Sequence, residues 1–178
     1  MKPGWKMNLL RLAALLMVIL LSVFIYTIRD QAEKLAVYGY PGIFILAFLS
    51  YATVILPAPG VAVVFTMGAI LNPLAVAIVA GAGAALGEIS GYLVGFSSQG
   101  LVERSAWYLR IESGLKRYGG WAVFLLAAIP NPLFDLAGAV AGTLKMPVWK
   151  FLLFAWLGET IKMIAFAYAG SSLIGLFQ

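Results

Sequence analysis

The 178 residues include no cysteine and no histidine. These absences exclude disulfides, thiolate and imidazole metal ligands, cysteine nucleophiles and every acid–base mechanism that runs through imidazole. Charge is scarce as well: charged residues make up 11% of the chain against 63% hydrophobic. Mean hydropathy is +0.99, far outside the range of soluble domains, which leaves an integral membrane protein. The net charge of +5 comes mostly from basic residues in short flanks of apolar spans, where they set topology, so a nucleic-acid partner has no support. The longest polar stretch, Ser98 to Gly120, is short for a core of its own.

What is present is a series of long apolar runs. Leu9 to Ile28 follows Lys2 and Lys6, carries Arg11, and leads into Arg29-Asp30-Gln31-Ala32-Glu33-Lys34 with no small-residue cleavage site. An uncleaved anchor helix is expected, with the basic N-terminus in the cytoplasm. Residues 1–37 then form the anchor and a short extracytoplasmic extension, in which Arg29 with Glu33 and Asp30 with Lys34 are spaced for helical pairing. Tyr38, Tyr40 and Trp121 suit the membrane interface.

Two later runs are broken. Ile43 to Leu71 is interrupted by Pro57-Ala58-Pro59-Gly60, and Trp121 to Leu144 by Pro130-Asn131-Pro132 with Asp135 just beyond. Hydrocarbon cannot solvate a backbone that has lost its helical hydrogen bonds, so such breaks must be buried in protein or line a wet cavity. Each half of the first run is roughly 16 to 21 Å of helix at about 1.5 Å per residue, too short for a core of about 30 Å. A helix-turn-helix re-entrant hairpin fits better than a straight crossing.

Charge placement points the same way. Arg104, Arg110, Lys116 and Arg117 follow the full span Leu74 to Phe96. If that loop lies with the N-terminus, the first broken run must enter and leave on one face. A re-entrant second run likewise puts Lys145 and Lys150 inside, leaving Arg29 and Lys34 outside.

An internal repeat accompanies this topology. Tyr38-Gly39 matches Tyr118-Gly119, Pro57-Ala58-Pro59 matches Pro130-Asn131-Pro132, Pro73 matches Pro147, Gly87-Glu88 matches Gly158-Glu159, and Ser97-Ser98 matches Ser171-Ser172. The expected architecture is an all-α helical bundle with two opposed re-entrant hairpins in an inverted repeat. Repeat one covers 38–98, a cytoplasmic loop 99–117, and repeat two 118–178.

Polar residues inside the spans are the candidate site. Gly83, Gly87, Gly91 and Gly95 form a stripe suited to close helix packing. Among them stands Glu88, a carboxylate that hydrocarbon tolerates only if paired, hydrated or protonated, with Tyr92 one turn on as a hydrogen-bond partner. Glu159 recurs in the second copy, with Lys162 spaced for a local ion pair. Asp135 lies near the start of the second half-helix, where it either caps the helix or serves the site.

Ile129-Pro130-Asn131-Pro132-Leu133-Phe134-Asp135-Leu136-Ala137-Gly138, together with Ala85-Leu86-Gly87-Glu88-Ile89-Ser90-Gly91-Tyr92, resembles the VTT-domain (DedA, SNARE-associated) superfamily, most closely its vacuole membrane protein branch. The resemblance spans about 38–172 and makes 38–178 the VTT domain. It implies two opposed re-entrant loops and movement of lipids between leaflets. By position it assigns Glu88 to the first motif and Pro130, Asn131, Pro132 and Asp135 to the second. Many bacterial members carry arginines near the second proline motif, whereas this chain has Ala127, Ala128 and Leu133, which disfavours bidentate phosphate recognition.

The expected function is lipid movement between leaflets, scramblase-like, with Glu88, Tyr92, Asn131, Asp135 and Glu159 along the headgroup path. The alternative is a proton- or ion-coupled transporter of a lipid phosphate such as undecaprenyl phosphate, or of a small solute. Enzyme chemistry is not expected: the only aspartates are Asp30 and Asp135, which denies an intramembrane aspartyl pair. No cofactor or metal is expected, membrane lipids are the partners, and a homo-oligomer is compatible with the sequence. The short flanks point to a prokaryotic plasma membrane.

Overall fold

The computed structural model describes residues 38–52, 60–98, 105–131 and 133–175, together with Leu12 and Leu16. The anchor helix, the first proline break with Pro57 and Pro59, and Pro132 lie outside the described residues. Every regular element within them is helical: α1 (Tyr40–Ala52), α2 (Gly60–Ile70), α3 (Pro73–Gly87), α4 (Ile89–Ser97), α5 (Ala106–Tyr118), α6 (Gly120–Ala128), α7 (Leu133–Thr143) and α8 (Val148–Gly175).

Among the described residues two stretches are long and apolar enough to cross a membrane, Pro73–Ser97 and Val148–Ser172. The first starts cleanly because Asn72 accepts a hydrogen bond from the Ala75 N–H and Pro73 supplies the fixed φ of a first helical residue. Within it the backbone runs on through Glu88, whose N–H donates to Ala84 O at 3.0 Å and whose carbonyl accepts from Tyr92 N at 3.1 Å. The remaining apolar helices are short, from 9 residues in α6 to 13 in α1. Val63 and Met67 of α2 pack against Leu46, Leu49 and Ala52 of α1, so the chain folds back on itself across the first break.

The segment expected as a loop between the repeats contains α5. Its Tyr108, Ile111 and Leu115 face inward at helical spacing while Arg110, Lys116 and Arg117 stay exposed, which makes it an amphipathic helix. Ser105 caps its start by accepting from Tyr108 N, and Gly119 ends it at φ +57°, a left-handed conformation that glycine adopts without steric cost.

Packing follows a pattern that occurs twice. The first arm of each short pair lies on the long helix that follows it, α1 on α3 and α6 on α8. The second arm lies on the other long helix, α2 on α8 and α7 on α4. The atoms repeat as well. A Cβ on Gly83 would meet Phe44 O, Ala47 Cβ and Phe48 N; a Cβ on Gly158 would meet Phe124 O, Ala127 Cβ and Ala128 N. Gly95 abuts the backbone of Ala139 and Gly142 that of Tyr92, just as Gly170 abuts Phe65 and Gly68 abuts Ala167. Glycine at these points lets backbones touch, the usual means of joining helices where no hydrophobic drive separates protein from lipid.

This packing corrects the register of the sequence match. Gly83, not Gly87, is the counterpart of Gly158, and Gly95 is that of Gly170, one helical turn away from the alignment of Gly87-Glu88 with Gly158-Glu159. The glycine stripe also divides: Gly83 and Gly87 face α1, Gly95 faces α7, and a Cβ on Gly91 would make only ordinary contact, 3.5 Å from Asp135 O.

Gly95→Ala should therefore push α4 off α7 and cost about 1–3 kcal/mol, lowering the midpoint of thermal unfolding in detergent. Gly91→Ala should hold or raise that midpoint, gaining up to about 1 kcal/mol of helix propensity.

Candidate functional site

The outer surface is apolar, with Ile45, Ile78, Leu125, Leu153 and Ile161 exposed, while Glu88, Ser90, Glu159 and Lys162 are buried. Polar groups inside and apolar groups outside is the arrangement that lipid solvent selects. Glu88 is 2% exposed and Glu159 is fully buried, so each needs a partner inside the protein.

Glu159 has one. Lys162, a turn along α8, donates to Glu159 Oε1 at 2.6 Å, forming a buried ion pair. The ammonium also lies 5.1 Å from the ring centre of Tyr51 and 5.8 Å from that of Phe134. Lys162 is thus held between the last turn of α1 and the first turn of α7, the two helix ends that border the breaks. Glu88, Asp135, Glu159, Lys162 and Tyr51 interact electrostatically as one group, and Glu88 and Asp135 both border Gly91. Within this group Glu88 Oε1 and Glu159 Oε2 have no hydrogen-bond partner among the described residues, and the same holds for the buried Ser90 Oγ and Thr160 Oγ1 on the same long helices.

The expected residues fall into two sets. Glu88, Asp135 and Glu159 come together. Glu159 is not the positional counterpart of Glu88, however, because the packing register sets Glu88 against Met163 and Glu159 against Ala84; the site is asymmetric. The Tyr92 hydroxyl does not bond the Glu88 carboxyl. It donates to Met146 O at 2.6 Å, and the Tyr92 ring packs on Phe151. That carbonyl lies just past the end of α7, where the turn has no helical donor to offer it, so the phenol satisfies it.

Asn131 is committed to the backbone. Its amide donates to Leu126 O at 2.9 Å and Ile129 O at 2.7 Å, while Oδ1 accepts from Leu133 N at 2.9 Å. One side chain thereby ties the end of α6 to the start of α7 beside Pro130. Asn131 thus meets a free N–H at the start of α7.

Tyr51 belongs to the site and was not among the expected residues. Lys162 was read only as a local partner of Glu159. Among the described residues no group of three or more acidic side chains is arranged to hold a metal ion.

Apolar helices of membrane-spanning length around a buried acid–lysine cluster define an integral membrane protein with a polar interior. The chain belongs to the VTT-domain family, whose model matches residues 56–172. Among curated proteins it is similar to vacuole membrane protein KMS2 of Arabidopsis thaliana, 30% identical over 48% of this chain and 25% of the relative. Vacuole membrane protein KMS1 of the same plant is 37% identical over 38% of this chain and 15% of its own length. The vacuole membrane protein 1 homolog of Dictyostelium discoideum is 35% identical over 35% of this chain and 15% of its own. The matches thus cover a quarter or less of these relatives. No solved structure matches the chain.

Removing the cation alone should be the most damaging change here. Lys162→Met leaves a buried carboxylate without its partner and should cost roughly 3–5 kcal/mol, read as a lower unfolding midpoint in detergent. Adding Glu159→Gln in the same chain should restore most of the loss.

Proposed function

We propose that this protein moves phospholipids between membrane leaflets in a scramblase-like manner. In this reading the pairs α1/α2 and α6/α7 are re-entrant hairpins entering from opposite faces, with the N-terminus and α5 on the cytoplasmic side. The doubled packing pattern supports an inverted repeat, because each hairpin reaches across to the other repeat's long helix. The apices then meet near the midplane, where Tyr51 and Phe134 flank Lys162.

The observation that carries the reading is the buried cluster of Glu88, Asp135, Glu159 and Lys162, in which Glu88 Oε1 and Glu159 Oε2 have no hydrogen-bond partner among the described residues. Buried polar groups are normally satisfied, so such a set favours water or a mobile polar group. A zwitterionic headgroup offers both signs of charge, and the cluster offers both in return. A path of this kind lowers the barrier to headgroup crossing while the acyl chains stay in lipid, with no covalent step. Ala127 is fully buried against Gly158, so no arginine fits there, in keeping with weak phosphate selectivity.

One observation favours a second reading, proton-coupled transport of a lipid phosphate. Glu88 and Asp135 lie beside each other at Gly91, and two acids sharing one site suit a proton carrier because both cannot readily ionise together.

Reconstitution into vesicles bearing leaflet-reporting fluorescent phospholipids tests both readings. Scrambling predicts exchange well above protein-free vesicles without any gradient, slowed about tenfold or more by Glu88→Gln or Asp135→Asn if each removes about 1.4 kcal/mol of stabilisation from the crossing state. Exchange at the protein-free rate rejects scrambling, and flux that appears only under an imposed pH gradient selects the coupled carrier.

A further inference from the structure

We infer that α5 and the α6/α7 pair form a binding site for an anionic phospholipid, holding one acyl chain in an apolar groove and the phosphate at Arg110. The site is separate from the polar cluster, and the inference does not rest on transbilayer movement. The groove has a volume of about 330 Å³ and is lined by Trp107, Arg110, Gly114, Leu125, Leu126 and Leu133, among others. That size lies at the lower end of ligand pockets and suits one chain rather than a whole lipid. No carboxylate lines it.

Three features select the occupant. The walls are apolar along their length, and the only charged lining group is Arg110, a guanidinium that pairs well with a phosphate diester. Arg110 lies 5.4 Å from the centre of the exposed Trp107 ring, which holds the cation at the level where an interfacial tryptophan sits. Arg117, exposed over Tyr118, adds positive charge at the same edge, whereas Lys116 is engaged by Glu112. A basic amphipathic helix at the interface attracts anionic lipid.

Gly114 is the second, independent sign. Glycine in mid-helix is unfavourable, and elsewhere in this fold it is required where backbones touch. At Gly114 a Cβ would meet nothing within 4 Å. Packing therefore does not require glycine there, and its missing side chain is what keeps the groove open beside Leu126 and Leu133. The groove's inner end borders the break, since Leu126 and Leu133 are the residues whose backbones Asn131 ties together.

The full chain in vesicles of phosphatidylcholine, with phosphatidylglycerol or phosphatidylcholine carrying a photoactivatable acyl chain as the probe, tests this when adducts are mapped by mass spectrometry. Adducts should concentrate at Leu125, Leu126 and Leu133 and be several-fold stronger with phosphatidylglycerol. Arg110→Gln should abolish that headgroup preference. Gly114→Leu should fill the groove and remove the adducts there while leaving those on the exposed Leu153 and Ile161 of α8; Leu125→Trp fills it from an exposed position should that variant fail to fold. Equal labelling by both lipids, or groove labelling that survives the filling variants, overturns the inference. So does a groove with no adducts in the parent chain, which would assign its cover to residues 1–37 or to a second copy.

Discussion

Everything in this fold answers to one constraint: hydrocarbon offers no hydrogen bonds, so a chain that breaks its helices inside the membrane must supply every missing partner itself. At the second break a single side chain, Asn131, holds the freed groups on both sides. At the end of α7 the Tyr92 hydroxyl serves Met146 O. These bonds need the short helices to sit tightly against the long ones, and the backbone contacts at Gly95, Gly142, Gly68 and Gly170 provide that seat. Loosening the glycine contacts would expose the breaks, and the polar cluster behind them would have no walls.

The same packing explains why the cluster is asymmetric although the scaffold repeats. The glycine contacts that hold helices together recur, whereas the charged residues do not: in that register Glu88 corresponds to Met163 and Glu159 to Ala84. Symmetry belongs to the frame and function to the departures from it. The result is a site with three acids and one lysine.

Much of this was legible in the sequence because membrane solvent writes in large letters. Span lengths, the proline breaks and the cost of Glu88 and Glu159 in apolar runs can be read from residue type alone. The repeat was legible but its register was not: glycine every fourth residue looks the same after a one-turn shift, so a Gly-Glu match could not distinguish Gly83 from Gly87 as the partner of Gly158. Tyr51 carried no signal, since a tyrosine is common in membrane helices and only tertiary placement brings this one to Lys162 and the acids. The helical nature of α5 was available in the spacing of Tyr108, Ile111 and Leu115, but its polarity made it read as a loop.

The central claim is that each broken pair enters and leaves on one face, and the absence of native cysteine makes it directly testable. Single cysteines at Tyr38, Asn72, Tyr118 and Lys145, probed in sealed vesicles with a membrane-impermeant thiol reagent, report which side each position occupies. Re-entrant pairs require that Tyr38 and Asn72 label from one side and Tyr118 and Lys145 from the other. Labelling of Tyr38 and Asn72 from opposite sides, or of Tyr118 and Lys145 from opposite sides, would make that pair a kinked crossing and rule out re-entry.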